Sequence, residues 1–522
     1  MVEQLVERRP KTGFQRFRRW AGLGLAGVTL ATAGASFSGI ASNAFQSQPE
    51  GNQSTSKAVL AAKKPNVDPS PEPTPTPEPE VKNRPNVIIV LMDDLSNYNL
   101  GFWNRFPTIR KEFIDNGITF KNARGETSLC CPGRAGLYTG QHTFNHGVDK
   151  NKATLFKPSM TIATALDGVG YHTVLAGKYF NGSQRLGDKT PPGWDDIYFT
   201  SGKFGEYNYT EWANGRPIWH GTGSDDFQTD LVFRKGINAI KDTDPNKPVF
   251  AVISTRAAHT SKATKAPEPA RRNIGAPNCR DARWDNPAYN ERRVSDKPRY
   301  VRNADPLVGP FSPYSLDFRK WCESVLGVDQ NLAKLLKALK QTGRYQNTLL
   351  ILTSDNGMND GEHGLRHKET PYAVEIPLFI SWPKVVKDGR TEREPVMNID
   401  VPVTICDIVT DCHLGPYPNG QKKPDGLSFL PIITNEKDTL DRDAVLINHW
   451  YGNPREGIPG WKGIINTRDG WMYVEYKTGE TEVYNRSKDP WLLNNLSRKK
   501  KFASEKRKLR IEMKRLMRLS KS

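Results

Sequence analysis

Cysteine is sparse: six in 522 residues, at positions 130, 131, 279, 322, 406 and 412. None closely follows the N-terminal apolar stretch, which argues against a lipid anchor on a cysteine there. Long apolar runs are also missing. The stretch AGLGLAGVTLATAGASFSGIASNA is diluted by Gly, Ala and Ser and is too weakly hydrophobic for a stable membrane span. It follows the basic RRPKTGFQRFRRW and ends in small residues near Ala44, so residues 1–44 read as a secretory signal; Arg18-Arg19 admits a twin-arginine route. An exported chain, secreted or periplasmic, tolerates disulfides, and Cys406 and Cys412 stand close enough in sequence to pair. Internal repeats are absent. Charge of one sign is scarce in the body: of the net +18, residues 498–522 (12 Lys/Arg, 2 Glu) hold +10 and residues 1–44 hold +4. Basic ends suit an acidic polysaccharide, anionic lipid or nucleic acid, or simply a solvated terminal helix.

Proline is concentrated in PSPEPTPTPEPE (Pro69–Glu80), which favours extended polyproline II and builds no core, so residues 45–83 read as a linker. Order is expected from Arg84. NVIIVLM (Asn86–Met92) is a continuous apolar run rich in β-branched residues, as in a strand buried on both faces. The pattern recurs in HTVLAG before Lys178, in VFAVIS (Val249–Ser254) before His259, and in TLLILTS (Thr348–Ser354) before Asp355-Asn356. Helix-like stretches such as SLDFRKWCESVLGVDQNLAKLLKALKQTG lie between them. This alternation predicts an α/β fold with a doubly wound, mostly parallel sheet over residues 84–384. GWMYVEY and TEVYN predict antiparallel strands in a smaller C-terminal α+β portion, residues 385–497, followed by a basic helical tail, 498–522.

Ligands of such sheets bind beyond the carboxyl ends of the strands. Those ends carry Asp93-Asp94, Lys178, His259 and Asp355-Asn356. Asp93-Asp94 or Asp355-Asn356-Gly357 alone is ordinary turn chemistry. Together they offer four oxygen-bearing side chains, a donor set for calcium or magnesium. Thiolate suits such a hard cation poorly, so Cys130-Cys131 does not read as a zinc site. Pro132 suits a first helical turn, which would set Cys130 at a helix N-terminus that favours an anion, with Arg134 adding a positive fork. A buried structural thiol is the alternative.

Cys130-Cys131-Pro132-Gly133-Arg134, followed by a small-residue helix and Thr139-Gly140, resembles the sulfatase signature C-x-P-x-R, whose first cysteine is converted to formylglycine. NVIIVLMDDL, GYHTVLAGKYFN, STRAAHTSKATKAPE, TSDNGMNDGEHGLRHKETPY and EVYNRSKDPWLLNNL resemble further family segments in the family's order, over about residues 84–497. The doubled cysteine, FNHGV and GKYFN are most similar to the N-acetylglucosamine-6-sulfatase branch and its bacterial relatives. The resemblance implies an alkaline-phosphatase-like fold and hydrolysis of sulfate monoesters of a sulfated sugar or glycosaminoglycan-like saccharide, with no nucleic-acid partner. It implies calcium (magnesium as the variant) held by Asp93, Asp94, Asp355, Asn356 and the converted Cys130, and a formylglycine-generating enzyme as the maturation partner. Arg134 would hold the hydrated formylglycine, and Lys178, Lys368 and His259 would neutralise the transferring group, with His259 or Lys368 protonating the leaving alcohol.

Two positions depart from the pattern. Gly133 stands where the family usually has Ser or Ala. Tyr179-Phe180-Asn181 follows Lys178 where many sulfatases carry a histidine. Asn181 can orient the hydrate, and His146 or His363 can stand in as base; either histidine can equally be structural. Phosphonate or phosphate monoester hydrolases share C-x-P-x-R, and a silent polysaccharide-binding homologue would keep the fold; both remain alternatives.

Overall fold

A computed structural model describes residues 84–520, apart from 187–188, 202–204, 262–265, 285, 306, 308–317 and 367. The expected signal (1–44) and linker (45–83) lie outside the described residues.

Every residue of the Asn86–Met92 strand is buried. Alternation sends Val87, Ile89 and Leu91 to one core and Ile88, Val90 and Met92 to another. That is why no polar residue interrupts the run. On one side the first core is closed by helix Cys130–Thr139 through Ala135, Leu137 and Tyr138, and by helix Asp400–Ile408 through Val401 and Ile405. On the other, helix Gln228–Asp242 contributes Val232, Phe233 and Ile240, and helix Phe318–Gln341 contributes Val325, Val328, Leu332, Leu335 and Leu339. The three- and four-residue spacing of that last set is the apolar stripe of a helix lying on a sheet.

The sheet so covered has ten strands. Five at its centre run parallel, in the order Thr348–Ser354, Asn86–Met92, Val249–Ser254, His172–Gly177 and Asp196–Ser201. Antiparallel pairings flank them: Leu378–Ser381 on one side, and on the other the hairpin Tyr209–Ala213 with Arg216–His220. Short strands Ile118–Phe120 and Arg390–Glu392 complete the first edge. The doubly wound, mostly parallel sheet expected from the sequence is therefore present.

A four-stranded antiparallel sheet follows, in the order Ala444–His449, Trp461–Asn466, Trp471–Tyr476 and Thr481–Asn485. One face, with Val445, Ile447, Met472 and Val474, packs on Val374, Met397 and Ile399. The other, with Leu446, Ile464, Tyr473 and Val483, is capped by Leu509 and Met513 of helix Ala503–Leu519. The basic end of the chain is thus docked along one face. Cys279 bonds to Cys322 and Cys406 to Cys412, whereas Cys130 and Cys131 are free and buried. Among the described residues no helix is long and apolar enough to cross a membrane.

Candidate active site

Strand register builds the site. Met92 pairs with Ser354, and Leu91 and Gly177 both pair with Ser254, so Asp93, Asp355 and Lys178 leave the sheet at one edge. Asp94 turns at once into the left-handed region (φ 57°) and accepts from Asn356 Nδ2 at 2.8 Å. Helix Cys130–Thr139 begins over this edge. Its N-cap, Leu129, is extended and supplies no side-chain cap, so Cys130 enters the site at the helix start. Gly133 permits the approach: a Cβ there would collide with the main-chain carbonyl oxygen of Asp355.

The groups that meet here come from residues 93 to 368. Cys130 Sγ lies 3.6 Å from Asp94 Oδ1 and 2.8 Å from Lys368 Nζ. Lys368 donates to both oxygens of Asp94 at 2.7 Å. Lys178 does the same to Asp93 at 2.8 and 2.7 Å. His259 Nε2 stands 3.3 Å from Asp94 Oδ2. Its Nδ1 is 2.7 Å from the Thr260 carbonyl, which only accepts, so Nδ1 carries the proton. Arg134 is fully buried and donates to Asp355 Oδ2 (2.7 Å), the Lys178 carbonyl (2.6 Å) and Ser254 Oγ (2.8 Å). Its bonds brace the strand ends rather than reach Cys130.

Electrostatics follow from burial and these partners. Burial pushes the Cys130 thiol well up, only partly countered by Lys178 and Lys368. Burial would raise Asp93 and Asp94, but Lys178 and Lys368 respectively, with His259, hold both down. Asp355 is raised to about 6 by burial and by Asp93, against Arg134. Burial depresses His259 to about 4, leaving it neutral near pH 7. Lys368 stays protonated: burial lowers its pKa, but Asp94 more than restores it.

A divalent cation fits this donor set. Ligand atoms of Asp93, Cys130 and Asp355 lie within 4.8 Å of one another, as do those of Asp94, Cys130 and His259. Asn356 Oδ1 is buried and has no hydrogen-bond partner, which is costly unless something takes its lone pairs. Carboxylate and amide oxygens are the ligands calcium and magnesium take.

The other candidates sit differently. Asn181 donates its N–H to Cys131 Sγ at 3.2 Å, and its Oδ1 is buried without a partner. Tyr179 and Phe180 are core residues, so the positions after Lys178 serve packing. His146 accepts from the Val148 N–H at 3.0 Å and points Nε2 at Glu126, 3.6 Å away. His363 pairs with Glu291 at 2.6 Å and packs on Tyr372. Two supporting residues escaped the sequence reading. Ser254 holds Arg134 at the end of VFAVIS, a position whose only signal is a hydroxyl closing an apolar run. Glu126 is buried four residues before Cys130 and is bonded by Thr143 Oγ1 (2.5 Å) and Asn448 Nδ2 (2.7 Å).

The family model described as Sulfatase matches residues 85–411, and that described as N-sulphoglucosamine sulphohydrolase, C-terminal, matches residues 361–519. The chain is 31% identical over 388 residues to N-acetylglucosamine-6-sulfatase of Homo sapiens, covering 70% of this chain and 67% of that protein. It is 26% identical over 497 residues to N-acetylglucosamine-6-O-sulfatase of Bacteroides thetaiotaomicron, covering 82% and 85%. A protein solved in complex with its substrate D-glucosamine-2-N,6-O-disulfate shares the fold, with a TM-score of 0.71 at 23% identity, over 84% of this chain and 98% of that one. With its metal-ready strand ends, its cysteine at a helix start and these likenesses, the chain belongs to the sulfatase family and is a sulfuric ester hydrolase of the N-acetylglucosamine-6-sulfatase branch.

Proposed function

We propose that this chain hydrolyses sulfate monoesters of a sulfated saccharide outside the cytosol, after conversion of Cys130 to formylglycine and with calcium, or magnesium in its place, at the site. The observation that carries the reading is the convergence of Cys130 with Asp93, Asp94, Asp355, Asn356, Lys178, Lys368 and His259 at one sheet edge. Hydrated formylglycine would supply a hydroxyl nucleophile and a second hydroxyl that lets sulfate leave. A cation, when bound by Asp93, Asp94, Asp355 and Asn356, would supply charge to polarise the ester.

The side chains present do the rest. Lys178 and Lys368 are fixed cations beside residue 130 and stabilise charge that spreads over the transferring group, where preorganised electrostatics count most. Lys368 is firmly protonated and can hand a proton to the leaving alcohol. Neutral His259, its Nδ1–H spent on Thr260, presents Nε2 as an acceptor until a bound anion draws a proton onto it. Arg134 holds Asp355 and the Lys178 main chain in place. His146 and His363 are kept as saccharide contacts of lower rank, because their ring nitrogens face Glu126 and Glu291, and Asn181 is kept with them, its main-chain N–H spent on Cys131.

The test has two parts. Mass spectrometry of the peptide containing residue 130, from protein made with a formylglycine-generating enzyme, is expected to show the aldehyde. Defined sulfated saccharides are expected to release sulfate with calcium and not with a chelator. An unmodified Cys130, or faster turnover of a matched phosphonate ester, overturns the reading.

A further inference from the structure

The catalytic cluster leaves the basic end of the chain unused. Helix Ala503–Leu519 spends its apolar side on the antiparallel sheet: Leu509 and Met513 are 4% and 0% exposed. The opposite side carries Arg507, Ile511, Lys514 and Arg518 at spacings of four, three and four residues, with Lys508 and Arg515 beside them, all exposed. From Arg507 to Arg518, at 1.5 Å per residue, this is a cationic strip about 17 Å long. Its two acidic residues do not neutralise it. Glu512 pairs with Arg515 and Glu505 approaches Lys508 at 3.7 Å, whereas Arg507, Lys514 and Arg518 form no ion pair among the described residues. The preceding Arg498–Lys501 run, RKKK, is exposed as well and extends the charge. Uncompensated like charge along one face repels itself and costs stability unless a polyanion meets it.

We infer that this face is a second, non-catalytic binding surface for a sulfated polysaccharide chain. The inference rests on the proposed function only for the choice of polyanion. A bilayer fits less well, because a membrane-surface helix needs a broad free apolar face, and here Leu509 and Met513 are buried in protein while only Ile511 and Leu519 stand exposed among the charges. The C-terminal end of the strip is tied to the segment that follows helix Cys130–Thr139. There Asn145 Nδ2 donates to the Ser520 carbonyl at 2.8 Å, and Ser520 Oγ bonds Asp425. Asn145 belongs to the turn that follows helix Cys130–Thr139, whose ten residues, about 15 Å of rise, lead back to Cys130. A linear sulfated polymer held on the strip would stay near the enzyme between turnovers, whereas a single sulfated sugar would ignore it.

The experiment measures heparin binding across a salt series with the full chain carrying C130A, so that no sulfate is removed. It compares this protein with the same protein carrying R507Q, K508Q, K514Q and R518Q. These four side chains are exposed, so a melting temperature no lower than the parent's certifies the fold. Binding of the parent is expected to fall steeply with salt, and the four-fold variant to bind at least ~10-fold more weakly, with a log–log salt slope smaller by about three. On the Cys130-containing enzyme the four substitutions should raise KM for the polymer and leave turnover of a monomeric sulfated sugar unchanged. Equal heparin affinity of parent and variant overturns the inference. So does equal or tighter parental binding to duplex DNA or to phosphatidylserine vesicles. If no sulfate ester is hydrolysed and the variant still loses heparin, the proposed function fails and the surface stands.

Discussion

At residue 133 a missing side chain decides how close a helix can come to the strand end that carries Asp355. Gly133 lies against the Asp355 carbonyl, and Asp355 in turn accepts from the Asp94 N–H and from Arg134. The Gly133→Ala change restores a residue type common in the family, yet in this chain it pushes helix Cys130–Thr139 away from backbone that cannot yield. Overpacking of that kind costs about 1–3 kcal/mol. The expected outcome is a loss of stability of that size in denaturant titration, and a calcium affinity lowered about 10-fold, as when a group that orients ligands is disturbed. The departure was visible in the sequence, but its cause was not, because nothing within CCPGRAG tells which carbonyl lies beneath it. Ser254 shows the same limit: its task is assigned by Arg134, 120 positions earlier in the chain.

Elements were more legible where both faces are buried. The apolar runs at 86–92, 172–177, 249–254 and 348–354 coincide with the strands observed, because no water-facing position breaks them. Strands at the sheet edges, such as Ile118–Phe120 and Arg390–Glu392, are three residues long and carry no usable period. The contact that joins the antiparallel sheet to the segment just before Cys130 was equally hidden. Asn448, on strand Ala444–His449, donates its N–H to the Glu126 carbonyl and its Nδ2 to the Glu126 carboxylate. Burial would raise Glu126, but His142 and His146, 3.7 and 3.6 Å away, hold it at about 2 against an ordinary 4.5. A depressed carboxyl contributes stability above its unfolded pKa and loses it as pH falls toward the folded value, here from 4.5 to about 2. Glu126→Gln is therefore expected to cost about 3 kcal/mol near pH 7, with the gap to the parent narrowing as pH drops from 4.5. Denaturant midpoints measured from pH 7 to pH 3 check it; a gap independent of pH contradicts this account of the pairing.

For the whole molecule, residues from 93 to 368 reach one point only after the sheet has formed, so a cation that joins them binds the native chain and not the unfolded one. Binding of that kind stabilises by mass action, about 2.7 kcal/mol at a hundred times the dissociation constant. In a chain with over four hundred ordered residues the unfolding entropy is large, and that free energy appears as a melting shift of only about 3 °C. Three buried carboxylates already share Lys178, Lys368 and Arg134, so the ordered site does not depend on an ion to offset all its charge. Removing calcium should accordingly lower the melting temperature without unfolding the protein at 25 °C. Asp355→Asn takes away one anionic donor and leaves Arg134 a neutral oxygen to hold, so the calcium-dependent part of the shift should vanish while the protein stays folded. Thermal scans of both proteins, in chelator and in a calcium series, distinguish the possibilities. A shift that survives in Asp355→Asn would mean the ion sits elsewhere, and micromolar zinc stabilising more than millimolar calcium would mean that Cys130 and His259, rather than the oxygens, hold it.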